Sequence, residues 1–125
     1  TKQRIQLALK GNREARNLLK RDTNKGVILG VLANPRITES EVEAISNMKT
    51  LPEDALRIIA LNRQWSRNYI IIHNLVRNPR TPVATSIAFI PRLFPKDLKA
   101  LTINRNVPDV IRKTAQRLLS TRRTA

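Results

Sequence analysis

The residues best suited to chemistry in this sequence are basic side chains placed beside two aromatic rings. Trp65 and Tyr69 are four residues apart, and Arg63 and Arg67 flank the tryptophan. Aromatic rings interleaved with basic side chains are typical of proteins that stack the nucleobases of single-stranded nucleic acid. The same spacing places both rings on one face of a helix, where they would anchor neighbouring helices instead. Core packing is the favoured interpretation, and Trp65 is retained as a candidate for base stacking.

Further basic residues fall where helices are expected to end. An arginine presents a planar fork that suits phosphate oxygens, and an asparagine beside it can donate to phosphates or to base edges. Such asparagines suit helix capping as well, and capping is the favoured interpretation for Asn34, Asn62, Asn78, Asn104 and Asn106. The predicted nucleic-acid-binding residues are Trp65, Arg36, Arg63, Arg67, Arg80, Arg105, Arg112, Lys113 and Arg117.

The charge balance favours a polyanionic partner. The chain carries 24 lysines and arginines against nine aspartates and glutamates, a formal net charge of +15. A field of this sign attracts nucleic acid, an anionic membrane or an acidic protein. Five of the nine acids lie between residues 39 and 54, which leaves the rest of the sequence still more basic.

Residues that would support catalysis or metal binding are few. His73 is the only histidine and there is no cysteine, which excludes disulfides, thiolate catalysis and cysteine-based zinc sites. The clustered carboxylates fall in the first turns of two expected helices, where the helix dipole accounts for them without chemistry. They are Glu39, Glu41, Glu43, Glu53 and Asp54. We therefore predict no metal, no cofactor and no enzymatic activity.

The elements that must position these residues are all helical. Apolar residues recur at helical spacing and do not alternate with period two over any useful length, so no strand is predicted. Residues 38–41 read Thr-Glu-Ser-Glu, a capping box, and give the clearest helix start. The chain should leave the helix before Pro35, and Pro91 should kink or end its helix. Residues 65–78 are expected to form one helical segment, and the second helix is expected to turn Ala15, Leu18 and Leu19 inward.

A sequence echo predicts how these helices are organised. Residues 31–36 read VLANPR and residues 75–80 read LVRNPR, and the same 44-residue offset aligns Asn24 with Asn68. A second kind of helix start, a proline followed by an acidic residue, recurs within each 44-residue block. The repeating unit of the sequence is therefore expected to be about half the length of a block. Short helices must stack on neighbours to bury a core. The turns between consecutive helices, called corners here, carry the basic residues. Equivalent corners are then expected to line up along one edge of the stack and to form a basic ridge.

One stretch resembles a known repeat family. Residues 69–93, YIIIHNLVRNPRTPVATSIAFIPRL, resemble the leucine-rich repeat variant, in which an apolar helix ends in Asn-Pro and a Thr-Pro pair opens the next. The match is carried by Asn78, Pro79, Thr81 and Pro82. The same stretch of sequence is also similar to the broader HEAT-like α-solenoids. The resemblance implies a right-handed stack of short helices with a binding surface, and no reaction. The predicted fold is a single all-α domain over residues 1–125, a HEAT-like α-solenoid of about eight or nine helices.

Three functions are compatible with these features. The first is a non-enzymatic protein that binds the phosphate backbone of DNA or RNA through a basic surface. The alternative is a scaffold that holds an acidic protein partner. A repair-type enzyme that excises alkylated bases would need an aspartate and an aromatic ring in one basic cleft, and only Asp22 or Asp109 with Trp65 are available.

The surroundings of the protein follow from what the sequence lacks. No apolar run is long enough to span a membrane, and no small-molecule substrate is indicated. The lack of cysteine is compatible with a cytoplasmic location, which is the prediction. The sequence begins with Thr1 rather than Met, so it is compatible with a fragment of a longer protein.

Overall fold

The computed structural model describes residues 1–124, and the side chains of residues 1–122. This part of the chain folds into nine α-helices and two short 3₁₀ turns, and it contains no strand. The α-helices are α1 Lys2–Lys10, α2 Arg13–Leu19, α3 Lys25–Ala33, α4 Glu39–Ser46, α5 Glu53–Leu61, α6 Tyr69–Arg77, α7 Val83–Phe89, α8 Pro95–Thr102 and α9 Asp109–Thr124. The 3₁₀ turns are Trp65–Arg67 and Ile90–Arg92. The prediction of an all-α fold with eight or nine helices is confirmed.

Side-chain caps set four of the helix starts. The Thr38 hydroxyl accepts from the Glu41 amide at 3.3 Å, and the Glu41 carboxylate accepts from the Thr38 amide at 2.6 Å, so the predicted capping box is present. Asn12, Asn24 and Asn68 each accept a hydrogen bond from the amide three residues later. Each cap satisfies a backbone donor that has no partner within its helix.

Two boundaries differ in how well the sequence predicts them. Pro91 lies in the 3₁₀ turn that follows α7, so the predicted end of that helix is confirmed. Residues 65–78 do not form one helix, because Asn68 is extended at φ −79° and ψ 118° and starts α6 as its N-cap. Trp65 is left in the short turn before that cap.

The helices stack with their neighbours in two rows. The odd-numbered helices contact one another from α1 to α3 and from α3 to α5, and α7 contacts α9. In the even row, α2 is tied to α4 by a salt bridge between Arg16 and Glu41, α4 packs on α6, and α6 bonds to α8 through Tyr69 and Asp97. The apolar side chains of both rows meet in a core that is almost entirely aliphatic.

The loops between helices gather on two opposite edges. The Arg36 edge contains the loops α1–α2, α3–α4, α5–α6 and α7–α8, and hydrogen bonds from Asn34 to Gly11 and from Arg92 to Ser66 join them in pairs. The Arg80 edge contains the loops α2–α3, α4–α5, α6–α7 and α8–α9. Each helix runs from one edge to the other, so the eight residues of α4 separate the edges by about 12 Å.

The sequence echo does not line up along one edge. Helices α3 and α6 do correspond, since each has nine residues between an asparagine N-cap and an asparagine C-cap, 44 residues apart. That offset spans three helices, an odd number, so the two copies run in opposite directions. Arg36 and Arg80 therefore lie on opposite edges, and the expected single ridge through equivalent corners is wrong. The odd-numbered helices α1, α3, α5, α7 and α9 begin at residues 2, 25, 53, 83 and 109, so one helix pair follows another along the chain.

In helix α2, Ala15 and Leu19 are half-buried, but the prediction that Leu18 faces inward is wrong. Leu18 is 74% exposed, whereas Arg16 is only 4% exposed. The Arg16 guanidinium donates to both carboxylate oxygens of Glu41, at 2.9 and 3.3 Å, and to the Gly11 carbonyl at 3.0 Å. A buried arginine is tolerated here because its charge and its donors are matched, and its methylene groups pack as an apolar side chain would.

Candidate functional site

The predicted binding residues fall into three places. Arg36, Arg63 and Arg67 are exposed on the Arg36 edge, and Arg80 and Arg105 are exposed on the Arg80 edge. The third group, Arg112, Lys113 and Arg117, lies on α9. The structure therefore distributes these bases over two edges and one helix rather than gathering them at one point.

Trp65 does not lie on any of these surfaces. Its side chain is 8% exposed and packs in the core with Ile59 and Ile71. The indole is thus not available as a platform for base stacking, and core packing, the favoured interpretation of the sequence, describes its position.

Nearly all acidic side chains have partners within the protein. Within the acidic segment 39–54, Glu41 pairs with Arg16, Glu53 with Arg57 at 2.8 Å, and Asp54 with Lys25. The other two carboxylates, Glu39 and Glu43, accept hydrogen bonds from the same Asn68 amide nitrogen, at 2.9 and 2.8 Å. The segment therefore does not form a free acidic patch.

The basic side chains are in the opposite situation. Six of the 24 lysines and arginines pair with a carboxylate in the described chain: Arg4, Arg16, Lys25, Arg57, Arg112 and Lys113. The remaining bases whose side chains the structure describes have no salt bridge. Three of them, Arg77, Arg92 and Arg122, donate to oxygens within the protein, and the charge of the others is available to an external anion.

One cavity lies on the Arg80 edge. It has a volume of about 270 Å³ and is lined by Ser46, Asn47, Lys49, Asn74, Arg77, Asn78, Pro79 and Asn106. These residues come from the ends of α4 and α6 and from the α8–α9 loop. We call this the asparagine pocket. Its lining contains two bases and four asparagines and no carboxylate.

Internal hydrogen bonds hold the walls of the asparagine pocket. The Asn74 amide nitrogen donates to the Glu43 carbonyl at 3.2 Å and to the Ser46 hydroxyl at 3.0 Å, which ties α6 to the end of α4. The Arg77 guanidinium donates to the Asn74 side-chain oxygen. The floor is therefore fixed by α4 and α6 before any ligand arrives.

The α8–α9 loop forms another wall of the pocket, and it is held by Arg112, a residue that was predicted to bind nucleic acid. The Arg112 guanidinium donates to the carbonyls of Asn104 and Val107, at 3.1 and 2.6 Å, and it pairs with Asp109 at 3.2 Å. The Asn104 side chain accepts from the Asn106 amide at 2.9 Å. Arg112 thus holds the loop that carries Asn106 over the pocket, and most of its donors are used inside the protein.

A second groove lies between α2 and α4. It has a volume of about 120 Å³, and the bases Arg13, Arg16 and Lys20 line it beside Asn17. The carboxylate in this groove belongs to Glu41. Burial by itself would raise the pKa of Glu41, but the hydrogen bonds from Arg16 and Thr38 outweigh it and hold the pKa below its ordinary value.

Sequence reasoning missed a cluster where α6 meets α8. The Tyr69 hydroxyl donates to the Asp97 carboxylate at 2.5 Å and accepts from the Phe94 amide at 2.9 Å. Burial raises the pKa of Tyr69, and the bond to Asp97 adds to the shift. Because Phe94 is the N-cap of α8 and Asp97 lies in its first turn, the cluster completes the start of that helix. The partners are 25 and 28 residues apart in sequence, so no local pattern reveals them.

His73 lies beside this cluster. Its ring is 5.9 Å from the ring of Tyr69, and its Nε2 is 3.9 Å from an Asp97 oxygen. Burial lowers the pKa of His73 and the nearby charge of Arg77 lowers it further, while Asp97 acts in the opposite direction. The imidazole is therefore neutral at physiological pH and packs as part of the interface between α6 and α8.

The aspartates considered for a repair reaction have other partners. Asp22 pairs with Arg4 at 3.2 Å and accepts from the Asn24 amide at 2.8 Å, and Asp109 pairs with two bases of its own helix. No hydrogen bond joins either carboxylate to Trp65 in the described chain. Among residues 1–124, no group of three potential metal ligands is found, and no helix is long and apolar enough to cross a membrane.

Comparisons with known proteins do not extend these observations. No family model matches the sequence, and no curated protein and no solved structure is significantly similar to it.

Proposed function

We propose that the protein is a non-enzymatic nucleic-acid-binding protein that contacts the phosphate backbone through its basic edges. One observation carries the proposal: the carboxylates of the acidic segment all have internal partners, whereas most lysines and arginines whose side chains the structure describes have no salt bridge. A surface whose negative charges are internally paired and whose positive charges are free attracts polyanions without sequence preference.

The distribution of the free bases supports a repetitive, extended ligand. Arginines stand on both edges, and the edges are separated by the length of a short helix. A polymer with regularly spaced charges can meet several of these positions at once, whereas a small anion meets one. The HEAT-like, right-handed arrangement implied by the resemblance would present such a surface along the stack, and it remains part of the proposal.

An acidic protein partner is the second candidate, and its support is narrower. Exposed apolar side chains such as Leu61 at 82% and Ile103 at 79% would suit a protein contact. These residues are separate, and single exposed apolar residues are common on protein surfaces. The acidic segment that would rim a mixed-charge groove is already paired internally, so nucleic acid is the better-supported partner.

The test is fluorescence anisotropy with labelled duplex DNA, single-stranded DNA and RNA across a range of salt concentrations. If six phosphates are neutralised, affinity should fall about a thousandfold between 50 and 200 mM salt. Polyglutamate serves as a competitor that carries charge alone. Weak binding that polyglutamate removes would overturn the proposal and turn attention to a protein partner.

Matched variants separate free bases from paired ones. Arg105→Gln removes an exposed base that has no carboxylate partner, whereas Arg57→Gln removes one that already pairs with Glu53 at 2.8 Å. Both variants change the net charge equally. We expect Arg105→Gln to lower the magnitude of the salt slope by about one and Arg57→Gln to change it little. Equal effects would mean that total charge alone drives binding.

A further inference from the structure

The asparagine pocket exists because the two corresponding helices carry different residues at one position. In α3, a Cβ added at Gly30 would lie 3.0 Å from the Ala8 Cβ and 3.3 Å from the Ile5 carbonyl oxygen, so α1 and α3 are in close contact there. The corresponding residue of α6, 44 positions later, is Asn74. Its side chain stands between α6 and α4 and bonds to Ser46, so the ends of those helices leave a space between them.

The same comparison identifies an unused donor. The Asn34 amide nitrogen donates to the carbonyls of Ala8 and Gly11, at 3.0 and 2.9 Å. The side-chain oxygen of Asn34 accepts from the amide two residues later, and the side-chain oxygen of its counterpart Asn78 does the same, accepting from the Arg80 amide at 2.9 Å. The side-chain amide nitrogen of Asn78, however, makes no hydrogen bond in the described chain, although the residue is only 8% exposed.

This nitrogen opens onto the pocket. Among the described side chains, no fully buried nitrogen or oxygen lacks a hydrogen-bond partner. The Asn78 side-chain nitrogen therefore reaches the molecular surface, and Asn78 lines the asparagine pocket. Its two N–H groups are therefore free to donate to an acceptor oxygen in the pocket.

The pocket also supplies positive charge, only part of which serves the helix ends. Bases beside helix C-termini often serve to satisfy the last carbonyls. Here Arg77 Nε donates to the His73 carbonyl at 3.3 Å, but two other carbonyls have donors of their own: the Glu43 carbonyl accepts from Ser46 and Asn74, and the Leu75 carbonyl accepts from the Thr81 hydroxyl at 2.7 Å. Lys49 and one terminal nitrogen of Arg77 are thus left without a partner in the described chain.

We propose that the asparagine pocket binds one phosphate group, which deepens the proposed function by assigning it a defined contact. The phosphate oxygens would accept from the Asn78 amide nitrogen, Lys49 and Arg77, and the absence of a carboxylate from the lining suits an anion. Its volume, about 270 Å³, is large enough for a phosphate with part of the attached nucleotide. The phosphate belongs either to a bound strand or to a free phosphate compound, and the experiment separates the two.

The experiment is an NMR titration of the protein with inorganic phosphate, with chloride adjusted to keep the ionic strength constant. We expect saturating shifts of the Asn78 and Asn106 side-chain amide signals. Lys49→Gln should weaken phosphate binding about tenfold, and Lys99→Gln, which removes an exposed lysine of α8 outside the pocket, should change it less than twofold. Folding of each variant is checked by the dispersion of its backbone amide spectrum.

A second titration uses a five-nucleotide single strand with the same variants. If Lys49→Gln weakens both ligands, the pocket holds a strand phosphate. If phosphate saturates the pocket but no strand binds, the pocket serves a free phosphate compound and the proposed function fails on its own. Shifts that do not saturate, or equal effects of Lys49→Gln and Lys99→Gln, would overturn the phosphate site while leaving salt-dependent strand binding intact.

Discussion

The contrast between Asn34 and Asn78 allows a quantitative test of how the stack is held together. Both residues end a corresponding helix and both accept from the amide two residues later, at 2.9 Å. Only Asn34 also donates to another helix, through its bonds to Ala8 and Gly11. Replacing each by alanine therefore removes three hydrogen bonds at position 34 and one at position 78.

The expected difference follows from those numbers. A hydrogen bond within a folded protein contributes about 1 kcal/mol to the free energy of unfolding, and a buried partner left unpaired increases the loss. Asn34→Ala should therefore destabilise the protein by about 3 kcal/mol and Asn78→Ala by about 1 kcal/mol. With a urea dependence of about 2 kcal/mol per molar, the two midpoints should differ by about 1 M.

Urea unfolding followed by circular dichroism at 222 nm measures both variants against the unaltered protein. The slope of the transition must remain unchanged for the comparison to report stability alone. Equal midpoints for the two variants would refute the claim that the Asn34 side chain ties α3 to α1. A larger loss for Asn78→Ala would contradict the assignment of a free amide to the asparagine pocket.

Three further outcomes are expected. Gly30→Val should lower the free energy of unfolding by about 2 kcal/mol, because the new side chain meets Ala8, and urea unfolding measures it. Tyr69→Phe should lower the melting temperature by about 4–8 °C in a calorimetric scan, because the Asp97 carboxylate loses its donor. The depressed pKa of Glu41 means that the folded state binds its proton less readily than the unfolded state, so stability present above pH 4.5 is lost as the pH falls further. Glu41→Gln should be less stable at pH 7 and should show a flatter decline below pH 4.5 in urea midpoints measured at each pH.

Local signals account for the parts of the fold that could be predicted. The capping box at Thr38 and the asparagine cap at Asn12 depend on residues within one turn of each other, so the sequence displays them directly. The inward position of Arg16 could not be read in this way, because its partner Glu41 is 25 residues away. Without that partner, an aliphatic side chain such as Leu18 is the reasonable choice for the core.

The candidate site was predictable only in its ingredients. Composition gave the free positive charge, and the Asn-Pro corners correctly marked where α3 and α6 end. The prediction of one basic ridge failed because a sequence offset counts residues, whereas the edge on which a corner lies depends on how many helices intervene.

The near-neighbour stacking of the helices has a consequence for how the chain folds. The main contacts join helices no more than two positions apart in the sequence, so few long loops must close before native contacts form. Chains with such low contact order fold rapidly, and segments at either end of a stack can open without the middle. In amide hydrogen exchange, protection should therefore be greatest in α5 and α6 and decrease gradually toward α1 and α9.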